Sequence, residues 1–190
     1  MKLYLASSSP RRAHMLANWG IPFSIVKTNV DEVMLDAAPE NCAAQNALAK
    51  AKSGSDHVDA GLVIGADTVV ACDGRILGKP LDEVQARDML ALLEGREHRV
   101  ITAMAAVLVP GKATATRTSI THVFMRHLSE SERQAYFDNP EYRDKAGAYA
   151  VQGLAASFIE RTEGPMDTII GFTMSDFHAL CIELHVDMRR

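Results

Sequence analysis

Strand-like and helix-like patterns of apolar residues alternate along this chain. Residues 62–70 form an apolar run, rich in β-branched side chains, that is typical of a buried strand. Apolar residues at helical spacing, between a start signal and a stop signal, predict helices at 13–19, 39–53, 82–93, 129–137 and 175–185. Further strands are predicted at 3–6, 23–26, 99–109, 114–128, 158–160 and 168–170.

Some of these boundaries have specific chemical signals. Pro39 is placed to start the second helix and Gly54 to end it. Ser129 and Glu132 form a capping-box pattern that starts the fourth helix. Residues 143–153 are small, charged and aromatic without a strict period, so both a functional loop and a bulged strand fit them.

Composition narrows the class of protein. The 190 residues are 47% hydrophobic, which allows one substantial core in a single domain, or in one domain with a small lobe. A formal net charge of -4 gives no general attraction to nucleic acid or to an anionic membrane. Three widely separated cysteines predict neither a disulfide framework nor a zinc ribbon, and favour the reducing cytoplasm. We expect no secretion signal and no membrane span.

One carboxylate, Asp67, lies inside the apolar run of residues 62–70. A buried, ionised Asp is costly unless a cation, a metal ion or several hydrogen-bond donors meet it. Such a residue can serve as a metal-binding or water-activating carboxylate. It can equally be an Asp at a strand end that caps or turns the backbone, and position 67 alone leaves both interpretations open.

A polar loop connects the first predicted strand to the first helix. Ser9 suits the N-cap position, and the proline after it suits the first helical position. The Ser7 and Ser9 hydroxyls, the Arg11 and Arg12 guanidinium groups and the positive end of the helix could together bind a phosphate. An ordinary capped helix with two solvated arginines is the alternative.

Three other charged residues have both an ordinary and a functional interpretation. Lys50 lies in the last turn of its predicted helix, where a lysine usually interacts with the helix dipole. Lys79 lies between a glycine and a proline that restrict the backbone, so it is either a positioned lysine or a surface-turn lysine. Glu32 belongs to an acidic loop of a kind that is usually solvated, but near Asp67 it could share a divalent cation.

Common catalytic signatures are missing from the sequence. The seven histidines form no His-x-x-x-His metal motif, and no Gly-x-Ser-x-Gly elbow, Walker loop or Gly-x-Gly-x-x-Gly fingerprint occurs. What remains is a serine and arginine loop, two lysines, and carboxylates that could hold Mg²⁺. These groups suit a polyphosphate ester whose negative charge is neutralised while water attacks phosphorus.

Short motifs spread over nearly the whole chain are distinctive when taken together. In chain order they are Ser7-x-Ser9-Pro10-Arg11-Arg12, Asp31-Glu32, Gly65-Ala66-Asp67-Thr68, Gly78-Lys79-Pro80 and Asp144-Lys145-Ala146-Gly147-Ala148-Tyr149. In this order and spacing they resemble the motifs of the Maf family of nucleoside triphosphate pyrophosphatases.

The resemblance implies a fold and an activity. The fold is the Maf/Ham1 (ITPase-like) α/β fold, in which a long mixed twisted sheet is flanked by helices. Two lobes of a single domain, here residues 1–190, enclose a central cleft. The activity is hydrolysis of a nucleoside triphosphate to the monophosphate and pyrophosphate with a divalent cation, Mg²⁺ or Mn²⁺. We therefore expect a cytoplasmic homodimer that binds a nucleoside triphosphate, and neither nucleic acid nor a membrane.

The resemblance also assigns roles to residues. Asp67 matches the proposed proton acceptor, and Glu32 matches a carboxylate of the metal or phosphate site, so that Asp67 and Glu32 would hold the metal ion. The phosphate-binding positions match Ser7, Ser9, Arg11, Arg12, Lys50 and Lys79. The specificity positions match Arg11, Thr68 and Gln152, and these residues look like those of the branch that acts on dTTP and UTP. An amide such as that of Gln152 presents both a donor and an acceptor to the O4/N3 edge of uracil or thymine.

Two segments depart from the family pattern. Gly164-Pro165-Met166 stands where the family often has glycine, a polar residue and an aromatic residue, and Gly171-Phe172-Thr173 stands where Gly-Leu-Pro is usual. We expect these changes to leave the phosphate end untouched and to alter the base-side wall or a subunit contact. The resemblance also leaves two alternatives for function, a pyrophosphatase for another modified or purine nucleotide, and a nucleotide-binding inhibitor of septum formation.

Overall fold

The computed structural model describes residues 1–33 and 38–188. In this part of the chain one sheet contains β1 (Leu3–Ala6), β2 (Ser24–Ile25), β3 (Gly61–Cys72), β4 (Arg75–Leu77), β5 (Glu97–Val109), β6 (Ala113–Met125) and β7 (Ile159–Glu163). The strand order is β2-β1-β3-β5-β6-β7, and β4 pairs with β3. β1 is parallel to β2 and β3, whereas the β3–β4 and β6–β7 pairs are antiparallel. The predicted α/β fold with a long mixed sheet is confirmed.

The helices agree with most of the predicted ones. They are α1 (Pro10–Asn18), α2 (Pro39–Ser55), α3 (Glu83–Leu93), α4 (Glu130–Phe137), α5 (Met166–Ile170) and α6 (Met174–Glu183). The Ser129 hydroxyl accepts from the Glu132 N–H, and the Glu132 carboxylate accepts from the Ser129 N–H, so the predicted capping box is present at α4. None of the helices within the described ranges combines the length and the apolar character that crossing a membrane requires.

Helix α2 continues through Gly54, where the sequence predicts its end. A Cβ atom on Gly54 would lie 2.9 Å from the Cβ of Ala6 and 3.0 Å from Cγ1 of Val63. The glycine therefore allows the helix to pack closely on strands β1 and β3. The prediction that it ends the helix is wrong because close packing, and not a turn, requires glycine here.

The predicted strand at 168–170 is also wrong, because these residues form the end of helix α5. Thr and Ile favour strands, but packing and position override this preference in so short a segment. Pro165 precedes the helix, and the Thr168 N–H donates to its carbonyl oxygen at 3.2 Å. The Thr121 hydroxyl on β6 donates to the same oxygen at 2.7 Å.

The chain forms two compact units. Unit 1 contains Met1–Asp67, Thr102–Ser119 and Gly171–Arg190. Its apolar core combines side chains from β1, β3, β5, α1 and α6, among them Leu5, Leu16, Ile64, Met104 and Phe177.

Unit 2 contains Thr68–Ile101 and Ile120–Ile170. Its core is separate and more aromatic, and includes Val70, Leu90, Tyr136, Tyr149 and Phe158. Burial of these side chains stabilises α3, α4 and the segment after α4. The expectation of a single domain with a cleft between two lobes stays a prediction.

Candidate active site

The loop between β1 and α1 brings two serines and an arginine into contact. The Ser9 N–H donates to Ser7 Oγ at 3.2 Å, and Arg12 Nη1 donates to the same oxygen at 3.1 Å. Ser9 is the N-cap residue of α1, and Pro10 occupies the first turn, as predicted. Hydroxyl groups and a guanidinium group therefore gather at the positive end of α1.

Arg11 and Arg12 are both partly buried. Burial lowers the pKa of each guanidinium group; for Arg12, Asp67 opposes this effect, Arg11 adds to it and Glu32 opposes it. Arginine stays charged in proteins, so two desolvated positive charges lie side by side here. Arg12 Nε also donates to the Gly171 carbonyl oxygen at 2.9 Å. The alternative of two solvated arginines is wrong, and an anion would stabilise this arrangement.

Asp67 lies inside strand β3, and its side chain is 7% exposed. Lys50 Nζ donates to Asp67 Oδ1 at 2.6 Å, and Asn46 Nδ2 donates to Asp67 Oδ2 at 3.1 Å. The sequence predicts that a buried carboxylate needs a cation or hydrogen-bond donors. Lys50 is such a cation, and Asn46 is such a donor. The alternative of an Asp that caps a strand end is wrong.

Lys50 joins Asp67 to a second carboxylate. Its ammonium group donates to Glu32 Oε1 at 2.8 Å, and its side chain is only 10% exposed. Lys50 is therefore not a solvated lysine of the helix end, and Glu32 lies beside Asp67 as the functional interpretation requires.

The sequence allows this contact because strand β3 approaches helix α2 without a side chain between them. A Cβ atom on Gly65 would lie 2.3 Å from the Ala47 carbonyl oxygen and 2.6 Å from the Ala51 N atom. Only glycine permits this approach of two backbones. Asp67, two residues further along the strand, then lies within reach of the polar side chains of α2.

The remaining predicted site residues belong to unit 2. Thr68 follows Asp67 on β3 and is half-buried, whereas Lys79 and Gln152 are exposed. The Gly147 N–H donates to the carbonyl oxygen of Gly78, next to Lys79, at 3.1 Å. This hydrogen bond connects the lysine turn to the segment that leads to Gln152.

Hydrogen bonds hold the segment 143–153 at Gly147, Ala148 and Tyr149. Within this described stretch there is a 3₁₀ turn, Ala146–Ala148, and no strand, so the loop interpretation is correct and the bulged strand is wrong. The Tyr136 hydroxyl donates to the Ala148 carbonyl oxygen at 3.0 Å. The Tyr149 hydroxyl lies 2.7 Å from Nε2 of the buried His98. These contacts order the backbone that precedes Gln152.

A family model described as Maf-like protein matches residues 2–184. The chain belongs to the Maf family.

Three curated relatives of this Maf chain share the name dTTP/UTP pyrophosphatase. The dTTP/UTP pyrophosphatase of Hahella chejuensis is 42% identical, and the alignment covers 97% of this chain and 93% of that protein. The dTTP/UTP pyrophosphatase of Hydrogenovibrio crunogenus is 40% identical, with coverage of 96% and 95%. The dTTP/UTP pyrophosphatase of Caldanaerobacter subterraneus subsp. tengcongensis is 38% identical, with coverage of 92% and 85%.

The Maf site residues predicted from the sequence thus fall into two groups. Unit 1 contains Ser7, Ser9, Arg11, Arg12, Glu32, Lys50 and Asp67. Unit 2 contains Thr68, Lys79 and Gln152. In unit 1, hydrogen bonds or charge interactions connect Ser7, Ser9 and the two arginines to one another, and Arg12 to the carboxylates. The roles assigned to these residues stay predictions.

Sequence reasoning missed Asn46 and His98. Asn46 lies four residues before Lys50, so the two side chains share one face of α2, and this spacing was the available signal. His98 had no such signal, because only the tertiary structure places it against Tyr149.

One of the two segments that depart from the family pattern contacts helix α1. The Gly171 carbonyl oxygen binds Arg12, and the neighbouring Phe172 is buried with its ring centroid 5.7 Å from that of Trp19. The glycine of this segment agrees with the family pattern and the changed residues are Phe172 and Thr173, so the expectation that the phosphate end is untouched stays a prediction.

Proposed function

We propose that this Maf protein hydrolyses dTTP and UTP to the monophosphate and pyrophosphate. The observation that carries the proposal is the buried Asp67 carboxylate, held by Lys50 beside Glu32 and within the electrostatic reach of Arg12. The names of the curated relatives support the same substrates. Removal of these nucleotides from the cellular pool would be the consequence of the activity.

The positive groups of the site would bind the triphosphate. Ser7, Ser9 and Arg12 present hydroxyl and guanidinium donors at the start of α1, where the helix dipole also favours an anion. Arg11 adds a second positive charge. Arg12, Lys50 and Lys79 would stabilise the pyrophosphate as it leaves, because negative charge grows on that group as the bond to the α-phosphorus breaks.

Asp67 would orient a water molecule and accept its proton during attack on the α-phosphorus. Its location favours this because both carboxylate oxygens are fixed by donors from one helix. A fixed carboxylate needs little reorganisation before reaction, which lowers the barrier.

A divalent cation, Mg²⁺ or Mn²⁺, would be held by Asp67 and Glu32. Within residues 1–33 and 38–188 no three His, Cys, Asp or Glu side chains are grouped to hold a metal ion. The two carboxylates nevertheless fit, since Mg²⁺ in proteins is usually bound by one or two carboxylates together with substrate phosphates and water. Such an ion neutralises phosphate charge and lowers the pKa of bound water.

Base recognition would depend on Arg11, Thr68 and Gln152. The exposed Gln152 amide offers a donor and an acceptor, which match the O4/N3 edge of uracil or thymine.

We further propose that the protein acts as a homodimer in the cytoplasm. Its net charge of -4 does not favour nucleic acid as a partner.

One assay separates this function from its alternatives. Pyrophosphate release is measured for a panel of canonical and modified nucleoside triphosphates, with and without Mg²⁺. We expect the highest kcat/KM for dTTP and UTP, and only with Mg²⁺. A preference for a purine or modified nucleotide would replace the proposed substrate. Nucleotide binding without any product would favour a nucleotide-responsive binding protein, such as an inhibitor of septum formation.

A further inference from the structure

Asn46 uses its whole amide group at the site. It is 3% exposed on α2. Its Oδ1 accepts from the Val33 N–H at 2.9 Å, and its Nδ2 donates to the Val33 carbonyl oxygen at 3.1 Å and to Asp67 Oδ2 at 3.1 Å. With the amide reversed, Oδ1 would face a carbonyl oxygen and a carboxylate, so these partners determine its orientation.

Asn46 and Lys50 hold Asp67 from the same side. They are one helical turn apart on α2, and each donates to a different oxygen of the carboxylate. Lys50 supplies a positive charge, whereas Asn46 is neutral and supplies direction only. With one oxygen held by each residue, the Asp67 carboxylate cannot rotate without breaking a buried hydrogen bond.

Asn46 also fixes the backbone next to Glu32. Its two hydrogen bonds to the Val33 backbone attach the residue after Glu32 to α2. Lys50 then binds the Glu32 side chain. The two carboxylates of the site therefore have a common attachment to one helix.

We propose that Asn46 is a positioning residue of the pyrophosphatase site, which sets the orientation of the Asp67 carboxylate and the location of Glu32. The inference rests on the proposed function. Asn46 acts through Asp67 and the 32–33 backbone, and takes no proton and binds no phosphate itself. Loss of its contacts changes turnover more than substrate binding, because the phosphate-binding groups at the start of α1 are untouched.

The test compares Asn46→Leu and Asn46→Asp with the wild-type protein in steady-state dTTP hydrolysis. Leu has a similar size without polar atoms, and Asp keeps the shape and an acceptor for the Val33 N–H but loses the donor to Asp67. We expect kcat to fall by about 10- to 100-fold in both variants, with KM within about threefold. Melting temperature and circular dichroism identify any variant that does not fold.

Two control variants on the same helix make the result specific. Asn41 is exposed on α2, and Asn41→Asp repeats the charge change away from the site. Cys42 Sγ donates to the same Val33 carbonyl oxygen at 3.0 Å, so Cys42→Ala removes an anchor of that backbone and leaves Asn46 with Asp67. We expect both controls to keep kcat within about threefold of the wild-type value, since the carboxylate keeps both its donors.

Three results overturn the inference. A folded Asn46→Leu or Asn46→Asp protein with wild-type kcat would show that the Asp67 contact does not matter. A loss of kcat in Cys42→Ala as large as in Asn46→Leu would show that any weakening of the contact between α2 and the 33 backbone has this effect, and Asn46 would then have no positioning role of its own. Wild-type protein that releases no pyrophosphate from any triphosphate would overturn the proposed function itself, and the positioning role with it.

Discussion

At the scale of single residues, the buried side chains of Asp67 and His98 each have polar partners. Asp67 has Lys50 and Asn46, and the deeply buried His98 has the Tyr149 hydroxyl. Burial lowers the pKa of His98 to about 4, against the opposing charge of Glu97. His98 is therefore neutral at physiological pH, and Nε2 can bind the tyrosine without an unpaired charge in the core.

Replacement of Asp67 by asparagine tests the proton acceptor. Asp67→Asn keeps the size of the side chain but removes the basic oxygen and the negative charge beside Lys50. We expect the protein to fold, because Lys50 still has Glu32, and pyrophosphate release to fall by about 100- to 10,000-fold. The exposed Asp59→Asn is the matched control. Near-normal turnover by Asp67→Asn would remove Asp67 from the mechanism.

His98 predicts a pH dependence of stability. The folded pKa of about 4 lies below the ordinary value of 6.5, so between these values the unfolded chain binds a proton that the folded protein does not. The stability contribution is therefore present above pH 6.5 and is lost as pH falls toward 4. From pH 7 to pH 5, His98 should lower the unfolding free energy by about 2 kcal/mol.

Urea unfolding of His98→Gln at pH 7 and pH 5 measures this contribution. We expect the pH dependence to be weaker than in the wild-type protein by that amount, and unchanged in the control His57→Gln, whose histidine is exposed. Equal pH dependence of His98→Gln and wild type would mean that burial does not suppress the protonation of His98.

At the scale of elements, the site depends on how closely helix α2 packs on the sheet. Gly54 and Gly65 permit this approach from the helix side and the strand side respectively. The helix then presents Asn46 and Lys50, one turn apart, to the Asp67 strand. A shift of α2 by a fraction of an ångström would alter both contacts together.

Gly65→Ala should therefore weaken stability and activity together. Its Cβ would lie 2.3 Å from the Ala47 carbonyl oxygen, and a backbone atom can move away only with the helix. We expect a loss of about 1–3 kcal/mol in unfolding free energy. Turnover should also fall in protein that is still folded. Urea unfolding and pyrophosphate release measure the two effects.

Gln45→Ala, at an exposed position of α2, controls for a change in the helix itself. If Gly65→Ala were as stable and as active as the Gln45→Ala protein, close packing of β3 on α2 would not be what positions the site.

At the scale of the whole molecule, each compact unit has its own core, and the chain passes between them inside strands. β3 changes unit between Asp67 and Thr68, the residues proposed for proton transfer and for base selection. In unit 1, the carboxylates Asp67 and Glu32 already share the Lys50 ammonium group. The charges of this pair are therefore balanced in part by the protein itself.

Removal of divalent metal should then stop turnover without unfolding the protein. Because Lys50 bridges the two carboxylates, we expect the melting temperature after EDTA treatment to stay close to its initial value. Activity should return when Mg²⁺ or Mn²⁺ is added in excess. Full turnover in EDTA would contradict the proposed metal requirement, and unfolding in EDTA would mean that Lys50 is not sufficient to hold the pair.

Local signals were enough to predict most elements and the helix start in the first loop. The Ser9 and Pro10 helix start, the capping box at α4 and the apolar run of β3 depend on neighbours within a few residues, so their patterns are visible in the sequence. The resemblance to the Maf family added candidate site residues that local patterns could not connect. The presence of a carboxylate inside an apolar strand also predicted that a cation or a hydrogen-bond donor would contact it.

The tertiary structure decided which groups meet. Lys50 and Asn46 are 17 and 21 residues from Asp67 along the chain, and only the packing of α2 on β3 brings them to it. The same packing explains why Gly54 lies inside a helix. Pairings between distant residues depend on the shape of the assembled elements, and an individual stretch of sequence contains no record of that shape. Asp67 was thus predictable as a residue in need of partners; the Maf resemblance placed Lys50 in the same site, whereas Asn46 was found only in the tertiary structure.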